Sequence, residues 1–161
     1  MQISLRKALN TKNKLVGKIS EIKSQIQRYN VYNPDKGTIA ERVDVSELLL
    51  DYFVNMNKLI DLKTAIVNAN AGSDGSNSIY KTLVKIEETK AAIAFLKEVP
   101  AEDGITEQTD WRTDKVTRTV RKCHVSHEQL QQHIASLESG LEDLLEEADV
   151  FNGSTKIEVK L

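Results

Sequence analysis

The single cysteine and all three histidines of this 161-residue chain fall close together, as Cys123, His124, His127 and His133. Thiolate and imidazole are the ligands zinc prefers, but a structural zinc site needs two ligand pairs that converge on a tetrahedron. On a strand, Cys123 and His124 point to opposite faces, and His127 and His133, six apart, do not share a helix face. Cys123, His124 and His127 are therefore candidates only, and no bound metal or other cofactor is expected. A di-iron centre between helices needs Glu-x-x-His on two of them, whereas the residues three before the histidines are Arg121, His124 and Leu130. Glu138, Glu142 and Glu146 form an i, i+4 ladder that could serve acid–base chemistry, and that reads more simply as a solvated helix face. The chain carries no glycine-rich phosphate loop, nucleophile elbow or HExxH pair. The expectation is a protein that is not an enzyme.

A second chemistry is suggested by Arg112, Lys115, Arg118, Arg121 and Lys122, a basic run beside Trp111 and the candidate surface for an anion or nucleic acid. Asp110 and Asp114 interrupt it. Proteins that read single strands stack bases on several aromatic rings, and aromatics are only 5% of this chain. Nucleic-acid binding through residues 112–122 is thus the alternative reading.

The elements that would position these groups are mostly helical. From Val45 to Asn70, the residues Val45, Leu49, Tyr52, Met56, Leu59, Lys63, Ile66 and Asn70 step 4-3-4-3-4-3-4, the spacing of a helix seam laid against other helices. Phe53, Ile60 and Val67 form a second apolar line beside the first, which marks a helix covered by more than one neighbour. A first helix over 4–29 is read from Leu5, Ala8, Lys12, Leu15, Ile19, Ile22, Ile26 and Tyr29. A third, over 78–98, is read from Ile79, Leu83, Ile86, Lys90 and Ile93, and a fourth, over 126–151, from Leu130 through Phe151. Asp44 with Glu47, and Ser126 with Gln129, are capping-box pairs that fix the starts of the second and fourth. Asn68, Asn70 and Asn152 are expected to end helices in the left-handed conformation that Asn tolerates. Residues 30–42 and 102–114 read as loops. Strands are expected at 116–124 and 155–160, where β-branched residues recur at short intervals, and the two are expected to pair with each other.

Charge is segregated along the chain. Residues 1–30 carry seven basic groups against Glu21 alone, while 126–149 carry seven acidic groups and no Lys or Arg. The simplest packing sets the first and last helices side by side, with their flanking charges complementary. One cysteine, an N-terminus without a signal-like apolar run and no stretch of transmembrane length lead to the expectation of a cytoplasmic protein with no membrane partner.

The order of a basic opening helix, Leu59-Ile60 followed by Ile66 and Asn70, a glycine-rich joint, a helix, a strand and a last helix ending near Asn152 resembles the septicolysin-like group of short bacterial proteins. Val67 and Gly153 depart from that pattern, which often has Asn and Trp at these places. The resemblance implies a membrane-active, cytolysin-like protein as a further alternative, and transfers no catalytic residue.

Together these readings predict one domain over 1–161: a mainly α, antiparallel four-helix bundle or coiled coil of long helices, with a small two-stranded β appendage. The expected role is a non-enzymatic scaffold or protein-interaction protein. The second apolar line on Val45–Asn70 suggests self-association as a homodimer.

Overall fold

A computed structural model of the chain describes residues 3–70 and 78–154. The described residues are 73% helical, with five helices and a small three-stranded antiparallel sheet. The order is α1 (Leu5–Tyr29), β1 (Val31–Tyr32), a 3-10 turn (Pro34–Lys36), α2 (Ile39–Arg42), α3 (Val45–Asn70), α4 (Ser78–Lys97), β2 (Gly104–Asp110), β3 (Lys115–Cys123) and α5 (His127–Ser154).

Helix starts follow the capping chemistry. Asp44 Oδ1 accepts from the Glu47 N–H at 3.0 Å. Before α5 the exchange is reciprocal: the Gln129 N–H donates to Ser126 Oγ at 3.2 Å and the Ser126 N–H donates to Gln129 Oε1 at 2.9 Å. Between α1 and α3, Asn33 Oδ1 accepts from the Asp35 N–H and Gly37 takes a left-handed φ of 53°, which glycine adopts without a Cβ clash. Asn68 and Asn152 lie inside α3 and α5, Asn70 is the last residue of α3, and among the described residues only Asp114 is a non-glycine with positive φ. Their expected left-handed capping role is therefore not the one they play.

α1 packs along α3, α3 along α4 and α4 along α5. The α3 seam is buried as its spacing requires, from Val45 through Ile66, with Lys63 the half-buried exception. Ile19, Ile22 and Ile26 of α1, Leu96 and Phe95 of α4, and Leu130 and Ile134 of α5 join it in one core. In α4 the buried line is Ile79, Thr82, Thr89, Ile93 and Leu96, while Leu83 and Lys90 face solvent. At the interface with α5, the Thr82 hydroxyl donates to Glu147 Oε1 at 2.9 Å. α3 and α4 stand between α1 and α5, so the expected side-by-side packing of the first and last helices does not occur. The second apolar line of α3 is largely covered within the chain: Ile60 is in the core, and Phe53 lies beside His133 at 5.6 Å.

The sheet order is β1-β3-β2. β3 pairs along its length with β2, from Gly104↔Arg121 to Asp110↔Lys115, and with β1 only at Cys123 and Lys122. The loop reading of 102–114 is thus replaced by a strand, and the partner of β3 is β2. The strand expected at 155–160 lies outside the described residues. A four-residue turn closes the hairpin, held by Asp110, whose backbone carbonyl accepts from the Thr113 N–H and whose Oδ1 accepts from the Arg112 N–H.

Candidate functional site

The structure separates the thiol and imidazole groups. The Cys123 N–H donates to Asp103 Oδ1 at 2.7 Å, and burial together with Asp103 pushes the Cys123 thiol up from its ordinary pKa. His124 leaves the strand, stacks on Tyr32 at 4.5 Å and brings Nε2 to 2.7 Å from the Ala40 carbonyl oxygen. A carbonyl only accepts, so the proton sits on Nε2. His127 is exposed on the first turn of α5. Among the described residues no three His, Cys, Asp or Glu side chains are grouped to hold a metal ion. Cys123, His124 and His127 instead fasten the sheet to the helical body or face solvent.

Beneath them lies the best-buried polar side chain among the described residues, which the sequence did not single out. Asn30, with no exposed surface, follows α1 directly. Its Nδ2 donates to the Pro100 and Val125 carbonyls at 2.6 and 3.0 Å, and its Oδ1 accepts from the Val125 N–H at 2.8 Å. Its own carbonyl accepts from the His124 N–H at 2.9 Å. One side chain thereby ties the end of α1 to the chain leaving α4 and to the chain entering α5.

The basic candidates are brought onto one hairpin but not onto one face. Alternation along β3 sets Arg118 and Lys122 on one side and Lys115 and Arg121 on the other, with Arg112 in the turn, its guanidinium 4.7 Å from the centre of the Trp111 ring. β2 and the segment leading into it supply counter-charges: Glu107 stands opposite Arg118 and Asp110 opposite Lys115 within the hairpin, and Glu102, ahead of β2, pairs with Arg121 at 3.2 Å. Residues 102–122 hold five acidic and five basic groups, so the hairpin is neutral overall. A phosphate-binding surface requires a positive excess, which these five acids remove. What the hairpin does present is exposed apolar surface: Trp111 is 80% exposed, and Ile105 and Val116 are over half exposed.

No family model, curated protein or solved structure matches this chain. The remaining candidates come from the helices. Lys23 of α1 lies over the rings of Tyr52 (5.5 Å) and Phe95 (4.9 Å). Burial holds its ammonium below the usual lysine range, against the raising effect of Glu88 and Glu98. Burial also pushes the Tyr52 hydroxyl up, aided by Glu88. Lys63 of α3 bonds Glu88 and Glu87 of α4. Burial works against its charge, but the hydrogen bond and charge of Glu88, with Glu87, leave its pKa raised. These groups hold α1, α3 and α4 in register. Position 23 sits beside the seam residues Ile22 and Ile26, the only sequence signal that a lysine there would be drawn inward.

Of the acidic ladder, Glu138 pairs with Lys97 of α4 at 2.9 Å. Glu142 and Glu146 are exposed, and no ion pair among the described residues engages them. A shallow groove between α1 and α3 is lined by Thr11, Lys14, Leu15, Lys18, Lys58 and Leu62.

Proposed function

We propose that this protein is a non-enzymatic helical scaffold, built as a four-helix bundle from α1, α3, α4 and α5, that acts by associating with itself. The observation that carries this reading is the placement of charge. The basic α1 and the acidic α5 are held apart by α3 and α4, so each keeps a surface that its own chain leaves unneutralised. Charge segregated in this way favours association with a complementary surface and steers it. Light scattering at low salt across a range of protein concentrations tests it. A mass of at least two 18.1 kDa chains is expected; a single-chain mass throughout rejects the reading.

Nucleic-acid binding through Arg112, Lys115, Arg118, Arg121 and Lys122 has one observation in its favour, the exposed Trp111 with Arg112 against its ring. The neutral hairpin weighs against it. Affinity for a single strand that falls steeply with salt is the signature it requires. The cytolysin-like reading rests on the resemblance alone, and among the described residues no helix is long and apolar enough to cross a membrane.

A further inference from the structure

The groove between α1 and α3 has the composition of a receptor for an acidic amphipathic helix. Leu15 of α1 and Leu62 of α3 form its apolar floor, and Lys14, Lys18 and Lys58 stand around it. None of these three lysines is engaged by an ion pair among the described residues. Lys14 and Lys18, four apart, lie on one face of α1. The flanking acids leave that charge standing: Asp61 is bridged to Lys81 at 3.6 Å, and Glu21 makes no ion pair among the described residues.

The complementary surface is on the same chain but out of its own reach. On α5, Glu142, Leu145, Glu146 and Asp149 fall at i, i+3, i+4 and i+7, one helix face. Leu145 is 40% exposed, and Glu142, Glu146 and Asp149 are exposed around it. A leucine set among acids matches a leucine floor set among lysines. Because α3 and α4 separate α1 from α5, the acidic face of one copy can meet only the groove of another.

We infer that the Glu142–Asp149 face of α5 docks into the Lys14–Lys18–Lys58 groove between α1 and α3 of a second copy of this chain. The inference rests on the self-association proposed above and names its surfaces. The two surfaces differ, so the contact is heterologous, and it propagates until the rotation between copies closes a ring, or else runs on as a filament. Light charges at its rim make it sensitive to salt, since exposed pairs are screened within about 8–10 Å at physiological ionic strength.

Charge reversal at exposed positions tests it without touching the core. The variants Lys14→Glu/Lys18→Glu and Glu142→Lys/Glu146→Lys are checked for wild-type helicity by circular dichroism and then sized by light scattering. Each alone is expected to lose assembly and run at the single-chain mass. An equimolar mixture restores it, because each acquires a complementary partner. Variants that assemble like the wild type, or a mixture that stays monomeric, overturn the docking while leaving self-association in place. A wild-type protein that is itself monomeric at every concentration overturns both.

Discussion

Two regions joined by a few residues obey opposite rules. At the base of the helical body, Asn30 is wholly enclosed and every hydrogen bond of its amide reaches a backbone atom far away in sequence. The hairpin of β2 and β3 begins only a few residues beyond Pro100 and ends just before Val125, yet β2 is exposed at every position. An isolated two-stranded hairpin is marginal in water; here it is fastened at its foot by Asp103, β1 and the Pro34–Lys36 turn. Stability therefore sits almost wholly in the body, while surface available for contact is concentrated on the arm and on the outer helices.

The sharpest way to break that contrast is Asn30→Ala. It removes three side-chain hydrogen bonds, two of them to the buried Val125 N–H and carbonyl and one to the part-buried Pro100 carbonyl, a loss of about 3 kcal/mol in chemical denaturation. A value below about 1 kcal/mol would mean that the base tolerates water and is not the anchor described.

An intermediate effect is expected for Lys63→Met, which separates α3 from the Glu88 carboxylate and costs about 1–2 kcal/mol near neutral pH. The Lys63 pKa is raised above the ordinary lysine value of 10.5 in the folded chain. Its contribution is therefore fully present below pH 10.5 and fades as pH climbs through the raised folded value. Melting curves of wild type and variant should converge at the alkaline end; a gap that widens there contradicts the assignment.

The smallest effect belongs to the arm. Trp111→Ala, or replacement of residues 106–119 by a short glycine-containing turn, should shift stability by no more than about 0.5 kcal/mol. A cooperative loss of the helical signal on shortening the hairpin would erase the distinction between the two regions.

The same contrast explains what could be read from the sequence. Burial imposes a period, and α1, α3 and α5 show it because one face of each is enclosed; capping pairs at Asp44 and Ser126 then fix where two of them begin. β2 was legible to no such rule. Gly104–Asp110 is exposed on both faces, so nothing selects alternating apolar residues, and its turn-forming ends look like loop. The phase of α4 slips by one residue, because Thr82 and Thr89 occupy buried positions that Leu83 and Lys90 would fill by hydropathy or spacing alone. Asn30 was invisible for a related reason: an asparagine at a helix end is ordinarily turn chemistry, and only the meeting of three distant chain segments gives it another use. The docking groove combines residues from two helices 40 or more positions apart, so its lysines read in sequence only as scattered positive charge.

Because Pro100 and Val125 both bond to the same amide group, the chain between them leaves and re-enters the body at a single stem. Loop entropy grows only slowly with length once its ends are fixed. The tip at Trp111–Asp114 is accordingly a natural graft point, where an inserted peptide or small domain would hang clear of the helices and leave their folding untouched.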